Sequence, residues 1–526
     1  MADHIIYEVY VRSFRDSDAD GIGDLRGIVD GLPYLARLGV DALWLSPIHP
    51  SGGADLGYDV TDYLGIDPEL GSLAQLDELI SRAGDRGIIV LLDLVANHTS
   101  DRHPWFEQSR ASLASPMRDW YIWRPPQPDG GPPTNWLSMF GGSAWQLDAR
   151  SGEYYLHTFS AAQPDLNWRN PAVGDAIGNA MRYWLARGIG GFRLDAFPTW
   201  IKDAAFRDNP VEPDWRDGDA DYRRVKPVHT VDQPEIASVA ARLRAVLDDY
   251  PGQRLLIAEL GLPPARAARY YRWIDVPMNF GLITRPWTAD RLQARIAAHL
   301  SSLPAGGRPN WVLGNHDVSR VATRLGDDLA RVAAVLLAIL PGSLTLYFAD
   351  ELGLPDTPPH DELVRDPVAR LTGSASRDPE RGPMPWDAER AHAGFSAAQP
   401  WFAMHPDAAR FSVRQQEQDP RSMLSLYRRL LRLREENSLA AGTLNDLSAD
   451  GHVLSFILRT GDAAFFVAAA TNAAPATARL PQPGVVIASS HRISNPTGTV
   501  TTVALRGPEA VLVSLGPAAH ASTARR

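Results

Sequence analysis

The first two thirds of the chain alternate between short apolar runs and stretches whose apolar positions return at helical spacing. Strand-like runs stand at residues 5–10 (Ile-Ile-Tyr-Glu-Val-Tyr), 42–45, 88–94, 189–194, 255–258, 276–280, 311–313 and 344–348. Helical spacing occupies residues 32–38, 73–80 and 176–186 between them. The sixth run contains Pro277, which cannot donate to a strand ladder. Eight strands separated by helices predict an α/β fold, a (β/α)8 TIM barrel, and place its chemistry at the carboxyl ends of the strands.

Two segments break this rhythm. Residues 100–168 are too long for a simple loop and carry Pro125-Pro126, Gly130-Gly131-Pro132-Pro133 and Gly141-Gly142, so they read as a small irregular domain inserted after strand 3. From about residue 446 the helices stop, and short β-rich runs at 452–457, 464–468 and 511–513 predict a C-terminal antiparallel β domain. The expected division is barrel 1–100, insert 101–168, barrel 169–445 and C-terminal domain 446–526, with residues 517–526 a frayed tail.

Four of the strands finish in polar clusters. The most informative is Gly190-Gly191-Phe192-Arg193-Leu194-Asp195-Ala196-Phe197, where side-chain alternation sends Arg193 and Asp195 to the same face. An arginine beside a carboxylate favours its ionised form, which suits a nucleophile; taken alone, the pair reads equally as a structural ion pair. The others are Asp93-Leu94-Val95-Ala96-Asn97-His98, Leu255-Leu256-Ile257-Ala258-Glu259 and Gly314-Asn315-His316-Asp317.

Together these four segments resemble the signature segments of glycoside hydrolase family 13, the α-amylase family, and more closely its α-glucosidase and oligo-1,6-glucosidase branch. Gln163-Pro164-Asp165-Leu166-Asn167-Trp168 is similar to the short motif that marks that branch, at the end of the inserted domain the family calls B. The resemblance implies that Asp195 is the nucleophile, Glu259 the general acid and then base, and Asp317 the carboxylate that binds sugar hydroxyls and steadies the transition state. It further implies that His98 and His316 hydrogen-bond ring hydroxyls and that Arg193 keeps Asp195 ionised and oriented. Asp55 and Arg381 would seize the terminal glucose, with Tyr58 stacked on its ring, closing the pocket so that the enzyme acts from chain ends. Gly382 stands where the family commonly has threonine, and Ala196, where enzymes preferring α-1,6 bonds tend to have valine, favours α-1,4. The 200–210 loop, Trp136 and Trp145 are candidates for the leaving-group site.

Asp16-Ser17-Asp18-Ala19-Asp20-Gly21-Ile22-Gly23-Asp24 has carboxylates at alternate positions and glycine sixth, like the start of a calcium loop, but lacks the closing glutamate. Asp16, Asp18, Asp20, Asp24 and the Ile22 carbonyl could hold one hard cation; the alternative is an acidic surface turn. The resemblance favours calcium, less often magnesium, in a structural role.

Bulk composition narrows the classes. A net charge of −10 over 526 residues argues against nucleic acid or an anionic membrane as partner and fits a neutral substrate. Cysteine is absent, which removes disulfides and thiol chemistry. The lysines, Lys202 and Lys226, do not stand at strand ends, which argues against Schiff-base chemistry. No organic cofactor is implied. The start of the chain lacks a basic region followed by a long apolar core, so the expected location is the cytoplasm. The expected activity is a retaining, exo-acting α-glucosidase that takes maltose-type oligosaccharides, α-1,4 bonds preferred, through a covalent β-glucosyl-aspartate. The alternatives are an α-glucosyl transferase or a sucrose- or trehalose-processing relative, and, more remotely, a catalytically silent binding or partner subunit. No oligomeric state follows from the sequence.

Overall fold

The computed structural model describes residues 3–358, 364–373, 376–492 and 498–517. Strands β1 (Ile5–Val9), β2 (Ala42–Leu45) and β3 (Ile89–Leu94) open the barrel. The insert contributes β4 (Trp123–Arg124), β5 (Trp145–Asp148) and β6 (Glu153–Leu156), a small antiparallel sheet in the order β4-β6-β5. The barrel resumes with β7 (Gly191–Leu194), β8 (Leu255–Glu259), β9 (Val276–Met278), β10 (Asn310–Val312) and β11 (Ser343–Tyr347). These eight pair in parallel in the order β10-β11-β1-β2-β3-β7-β8-β9, and β9 lies against β10 to close the ring. This is the predicted TIM barrel. Pro277 sits in β9, at the end of the hydrogen-bonded order, where a missing donor costs least.

Inside the ring, Ile6, Trp44, Leu91, Leu255, Ile257, Val276 and Met278 form one apolar cluster. Because side chains alternate, a step of two residues from this layer toward the carboxyl end stays on the interior face. That step leads from Ile6 to Glu8, from Leu91 to Asp93 and from Ile257 to Glu259, and β7 brings Arg193 to the same face beside Asp93. The polar residues are therefore the top layer of the core.

Close strand approach makes the β7–β8 step possible. Gly191 is paired with Leu255, and a Cβ there would fall 1.9 Å from the Leu255 carbonyl oxygen. Glycine's missing side chain lets the two strands that carry Asp195 and Glu259 run side by side.

The helix Leu25–Leu38 is longer than the apolar spacing alone predicts, because Asp24 caps it by accepting from the Gly27 N–H and Gly39 ends it in the left-handed region. After the helix Met423–Glu436 the chain enters β12 (Thr443–Asp450), three residues before the expected change of rhythm, followed by β13 (Val453–Thr460), β14 (Ala463–Ala470), β15 (Ala476–Ser489), β16 (Val500–Leu505) and β17 (Glu509–Pro517). They form a six-stranded antiparallel sheet in the order β12-β13-β14-β17-β15-β16. Leu454, Phe456, Phe465, Val467 and Leu512 on one face join the barrel core, and Phe466, Val511 and Val513 on the other belong to a separate apolar cluster with Leu480 and Val503. The tail expected at 517–526 lies outside the described residues beyond position 517. Among the described residues no helix is long and apolar enough to cross a membrane.

Candidate active site

The centre of the rim is one guanidinium. Arg193 Nη1 donates to both oxygens of Asp93 at 3.0 Å and to Asp195 Oδ1 at 2.7 Å, while Nη2 is paired with Glu259 Oε2. Trp44 lies beneath it, 4.6 Å from ring centroid to guanidinium carbon, and its Nε1 donates to Asp93 at 3.1 Å. Solvent access separates the carboxylates. The side chains of Asp93 and Glu8 have none, whereas Asp195, Glu259 and Asp317 retain 12, 26 and 34 %. Only the last three of these can meet a substrate without the core opening.

One cation cannot neutralise three carboxylates, and this corrects the expectation that Arg193 leaves Asp195 with a low pKa. Burial raises Asp195 well above the ordinary carboxyl range; Arg193 pulls against it, but Asp93, Glu259 and Asp317 add to the rise. Burial likewise raises Glu259, opposed by Arg193 and reinforced by Asp317 and Asp93. Burial and mutual repulsion thus raise the proton affinity of both carboxyls despite the shared arginine. Arg193 is also a poor target for testing function, since removing one partner of such a buried network costs about 3–5 kcal/mol of stability.

Asp317 behaves in the opposite way. Burial disfavours its charge, but His316, Arg377, Arg381 and Arg193 outweigh that and hold its carboxyl well below the usual range. Arg377 Nη1 and Arg381 Nη2 both donate to Asp317 Oδ1 at 2.9 Å. Burial lowers His316 to about 3, so it is neutral, although Nδ1 lies 2.6 Å from Glu8 Oε1 and Nε2 lies 3.3 Å from Asp317 Oδ2. A neutral ring between two carboxyls requires one of them to carry a proton. Burial pushes Glu8 well above the ordinary range, which favours Glu8 as the carboxyl that keeps a proton.

The expected clamp of Asp55 with Arg381 is corrected. The ion pair of Asp55 is with Arg377, whose Nη2 donates to Asp55 Oδ1 at 2.8 Å and also binds Asp366. Arg381 is held instead by the His316 carbonyl at 2.9 Å and by Asp317, with Tyr10 against its guanidinium. Both arginines belong to the Arg377–Trp386 segment, four positions apart; they share Asp317, and only the fold gives Asp55 to Arg377. Gly382 is also explained: a Cβ there would come within 2.1 Å of Thr357 Oγ1, so Thr357 fills the space that a side chain at position 382 would need.

Tyr58 stacks on His316 with ring centroids 5.0 Å apart and donates its hydroxyl to Asp93 at 3.0 Å. The ring of His98 is engaged by the Tyr58 carbonyl at 2.8 Å and by Gln163 at 3.1 Å, and Phe159 of the insert packs edge-on against it. Gln163 also reaches Asp55 at 3.2 Å, so the Gln163–Trp168 motif fastens the insert to the rim. Lys202 is buried with Asp165 as its ion partner and Asn97 Oδ1 at 2.8 Å. Trp136 and Trp145 are not in the cleft: they stack on each other 5.9 Å apart in the insert's own core. Trp200 supports the site from behind, donating its Nε1 to the Asp195 carbonyl at 2.8 Å.

Sequence reasoning missed Asp93, Glu8, Arg377 and Gln163. Asp93 and Glu8 carried a signal, since each lies two residues beyond an interior apolar position; Arg377 carried none that distinguished it from Arg381.

Near the start of the chain, Asp16, Asp18 and Asp24 each place a carboxylate oxygen within 4.8 Å of the others, an oxygen-only donor set that suits a hard divalent cation. Asp20, included in the expected set with Ile22, lies outside this group and its carboxylate accepts from the Ile22 N–H at 2.7 Å. Burial raises Asp24, offset by bonds from Ser17 and Gly27 and reinforced by Asp18, a repulsion that a cation would relieve. Adding a chelator is expected to lower the melting temperature by several degrees while leaving kcat of the folded protein unchanged, measured by paired thermal scans and rates.

Glu380 offers a pH test of the arginine segment. Burial raises its carboxyl from 4.5 to about 8, against the pull of Arg381. Between those values the folded state holds a proton that the unfolded chain releases, so the cost of burial is absent below 4.5 and grows as pH rises to 8. Glu380→Gln should raise the denaturant midpoint at pH 8 and leave it nearly unchanged at pH 5.

A closed parallel barrel whose strand ends bring accessible carboxyls onto one arginine fork defines a barrel hydrolase of the carboxylate type. The family description "Alpha amylase, catalytic domain" matches residues 8–442. The chain is 36 % identical over 473 residues to an α-glucosidase of Apis mellifera, covering 88 % of this chain and 83 % of that protein. It is 34 % identical to the oligo-1,6-glucosidase of Parageobacillus thermoglucosidasius, covering 84 and 85 %. Among solved structures it superposes on the α-glucosyl transfer enzyme XgtA with a TM-score of 0.92 at 36 % identity, covering 97 and 98 %, and on the trehalulose synthase MutB with 0.88 at 29 %, covering 97 and 99 %. The protein belongs to the α-amylase family, glycoside hydrolase family 13, and within it to the α-glucosidase branch.

Proposed function

We propose that the protein is a retaining, exo-acting α-glucosidase that releases glucose from the non-reducing end of short α-1,4-linked glucosides. The observation that carries this reading is the Arg193 fork, which holds Asp195 and Glu259 on neighbouring strands at one rim. Retention requires two carboxyls about 5 Å apart, and rigid adjacent strands preserve such a spacing.

In the first step the Glu259 carboxyl gives its proton to the glycosidic oxygen as Asp195 attacks the anomeric carbon, and the C–O bond to the leaving sugar breaks. In the second, Glu259 takes a proton from water, the water oxygen bonds to the same carbon, and Asp195 leaves as a carboxylate. The raised proton affinity of Glu259 suits the acid role. The cost of an ionised Asp195 is relieved as positive charge grows on the sugar, so its interactions strengthen toward the transition state. Asp317, kept anionic, accepts sugar hydroxyls.

Arg377 bridges Asp55 and Asp317, and a bridge of this kind beside the nucleophile supports a pocket that admits a chain end. Arg377→Lys keeps the charge but loses the fork, and is expected to lower kcat/KM on maltose about 10- to 100-fold and to narrow the difference between short and long substrates. Steady-state kinetics on maltose and maltohexaose check this. Ala196, directly after Asp195, supports α-1,4 over α-1,6 bonds by its small size.

A second reading, transfer of glucose to another sugar or alcohol, is favoured by the leaving-group side. A cleft of about 530 Å³ beside Glu259 and Ala196 is lined by Leu137, Met139, Tyr222 and Val225, side chains that hold an organic acceptor better than water. Product time courses on maltose, isomaltose, sucrose and trehalose, with and without added acceptor, separate the two. Two glucoses per maltose consumed at low substrate support hydrolysis; one glucose and one new glucoside per maltose consumed under the same conditions reject it in favour of transfer.

A further inference from the structure

We propose that the groove between the barrel helix Asp327–Ile339 and the C-terminal sheet binds a phosphate group, as inorganic phosphate or as the ester of a phosphorylated sugar. The groove has a volume of about 1120 Å³ and shares no lining residue with the cleft at Glu259. Arg331, Arg421, Arg492 and Arg506 line it, brought together from the barrel, the segment before the helix Met423–Glu436, and the C-terminal sheet.

Most of its carboxylates are already engaged. Asp327 is paired with Arg410 and Asp328 with His491; Arg492 in turn is paired with Glu509 from outside the lining. Asp419 accepts from the Arg421 N–H at 2.8 Å. Of the lining arginines, Arg331, Arg421 and Arg506 have no carboxylate partner within ion-pair distance among the described residues. The Nε of Arg331 donates to the Ser490 carbonyl at 2.7 Å, and Nη2 of Arg429 to the Ser489 carbonyl at 2.9 Å.

Burying a guanidinium group beside other cations is costly. Burial lowers the proton affinity of Arg331, and Arg429 and Arg506 lower it further, with Asp328 and Asp419 opposing. A doubly charged tetrahedral anion offers several acceptor oxygens to arginines that border one groove from different elements, which a single carboxylate does not. The lining contains one phenyl ring, Phe411, and so lacks the stacking surface expected of a second sugar site.

The test is isothermal titration of the full-length protein with inorganic phosphate, and separately with glucose 6-phosphate, at an ionic strength fixed with chloride. Saturable one-to-one binding is expected, weakened about tenfold in both Arg331→Gln and Arg506→Ala, with kcat on an α-glucoside unchanged in Arg506→Ala. Arg506 is exposed, so its variant decides the matter even where Arg331→Gln fails to fold. Tighter binding of glucose 6-phosphate identifies a sugar ester as the occupant, and equal affinity identifies the phosphate group alone. Absence of saturable binding, or affinity unaltered in Arg506→Ala, overturns the proposal.

Discussion

Asp195→Asn is expected to lower kcat on maltose by ~10⁴-fold or more without weakening the fold. The loss follows from removing the oxygen nucleophile, since an amide cannot form the glycosyl ester. The stability half follows from the electrostatics of the rim. Burial and neighbouring carboxylates make a charged Asp195 unfavourable in the folded state, and a neutral side chain of the same shape relieves part of that cost. A melting temperature equal to or slightly above that of the wild type, beside lost turnover, is the expected pair of results. Normal turnover would remove Asp195 from the chemistry, and a collapsed melting curve would make it a structural ion-pair residue.

Glu259→Gln should cost about 10²–10⁴-fold in kcat on maltose, whose leaving group needs a proton. A p-nitrophenyl glucoside, which departs without protonation, should still react in the first step. The glucosyl-enzyme would then accumulate, because water no longer has a base. Azide needs no base, so it should restore turnover and give α-glucosyl azide. Rates on both substrates, with and without azide, check this; equal losses on both and no rescue would deny Glu259 its proton-transfer role.

Much of this arrangement was legible in the sequence because a barrel repeats one instruction. Each short apolar run marks a strand, and alternation sends every second residue inward, so polar residues at run ends such as Asp195 and Glu259 could be placed on one rim before any coordinates. The clamp was less legible. Arg377 and Arg381 are the same residue type four positions apart in an irregular segment, with no periodicity to assign their directions, and three-dimensional packing gave Asp55 to Arg377. Charge sharing was hidden for a related reason. Arg193 and Asp195 look like a self-sufficient pair along the chain, but Asp93 and Glu259 reach the same guanidinium from β3 and β8. The tryptophans of the insert misled because large aromatic residues serve a small core as readily as a sugar site, and Trp136 and Trp145 serve the core.

The dependence of function on this rim is concentrated in stereochemistry. If Asp195 attacks beneath the anomeric carbon while Glu259 works above it, two inversions return the original configuration. Proton NMR of the glucose released from p-nitrophenyl α-glucoside, whose leaving group is not a sugar, recorded before mutarotation, tests this most directly. α-Glucose as the initial anomer is the predicted result, and β-glucose would contradict the account.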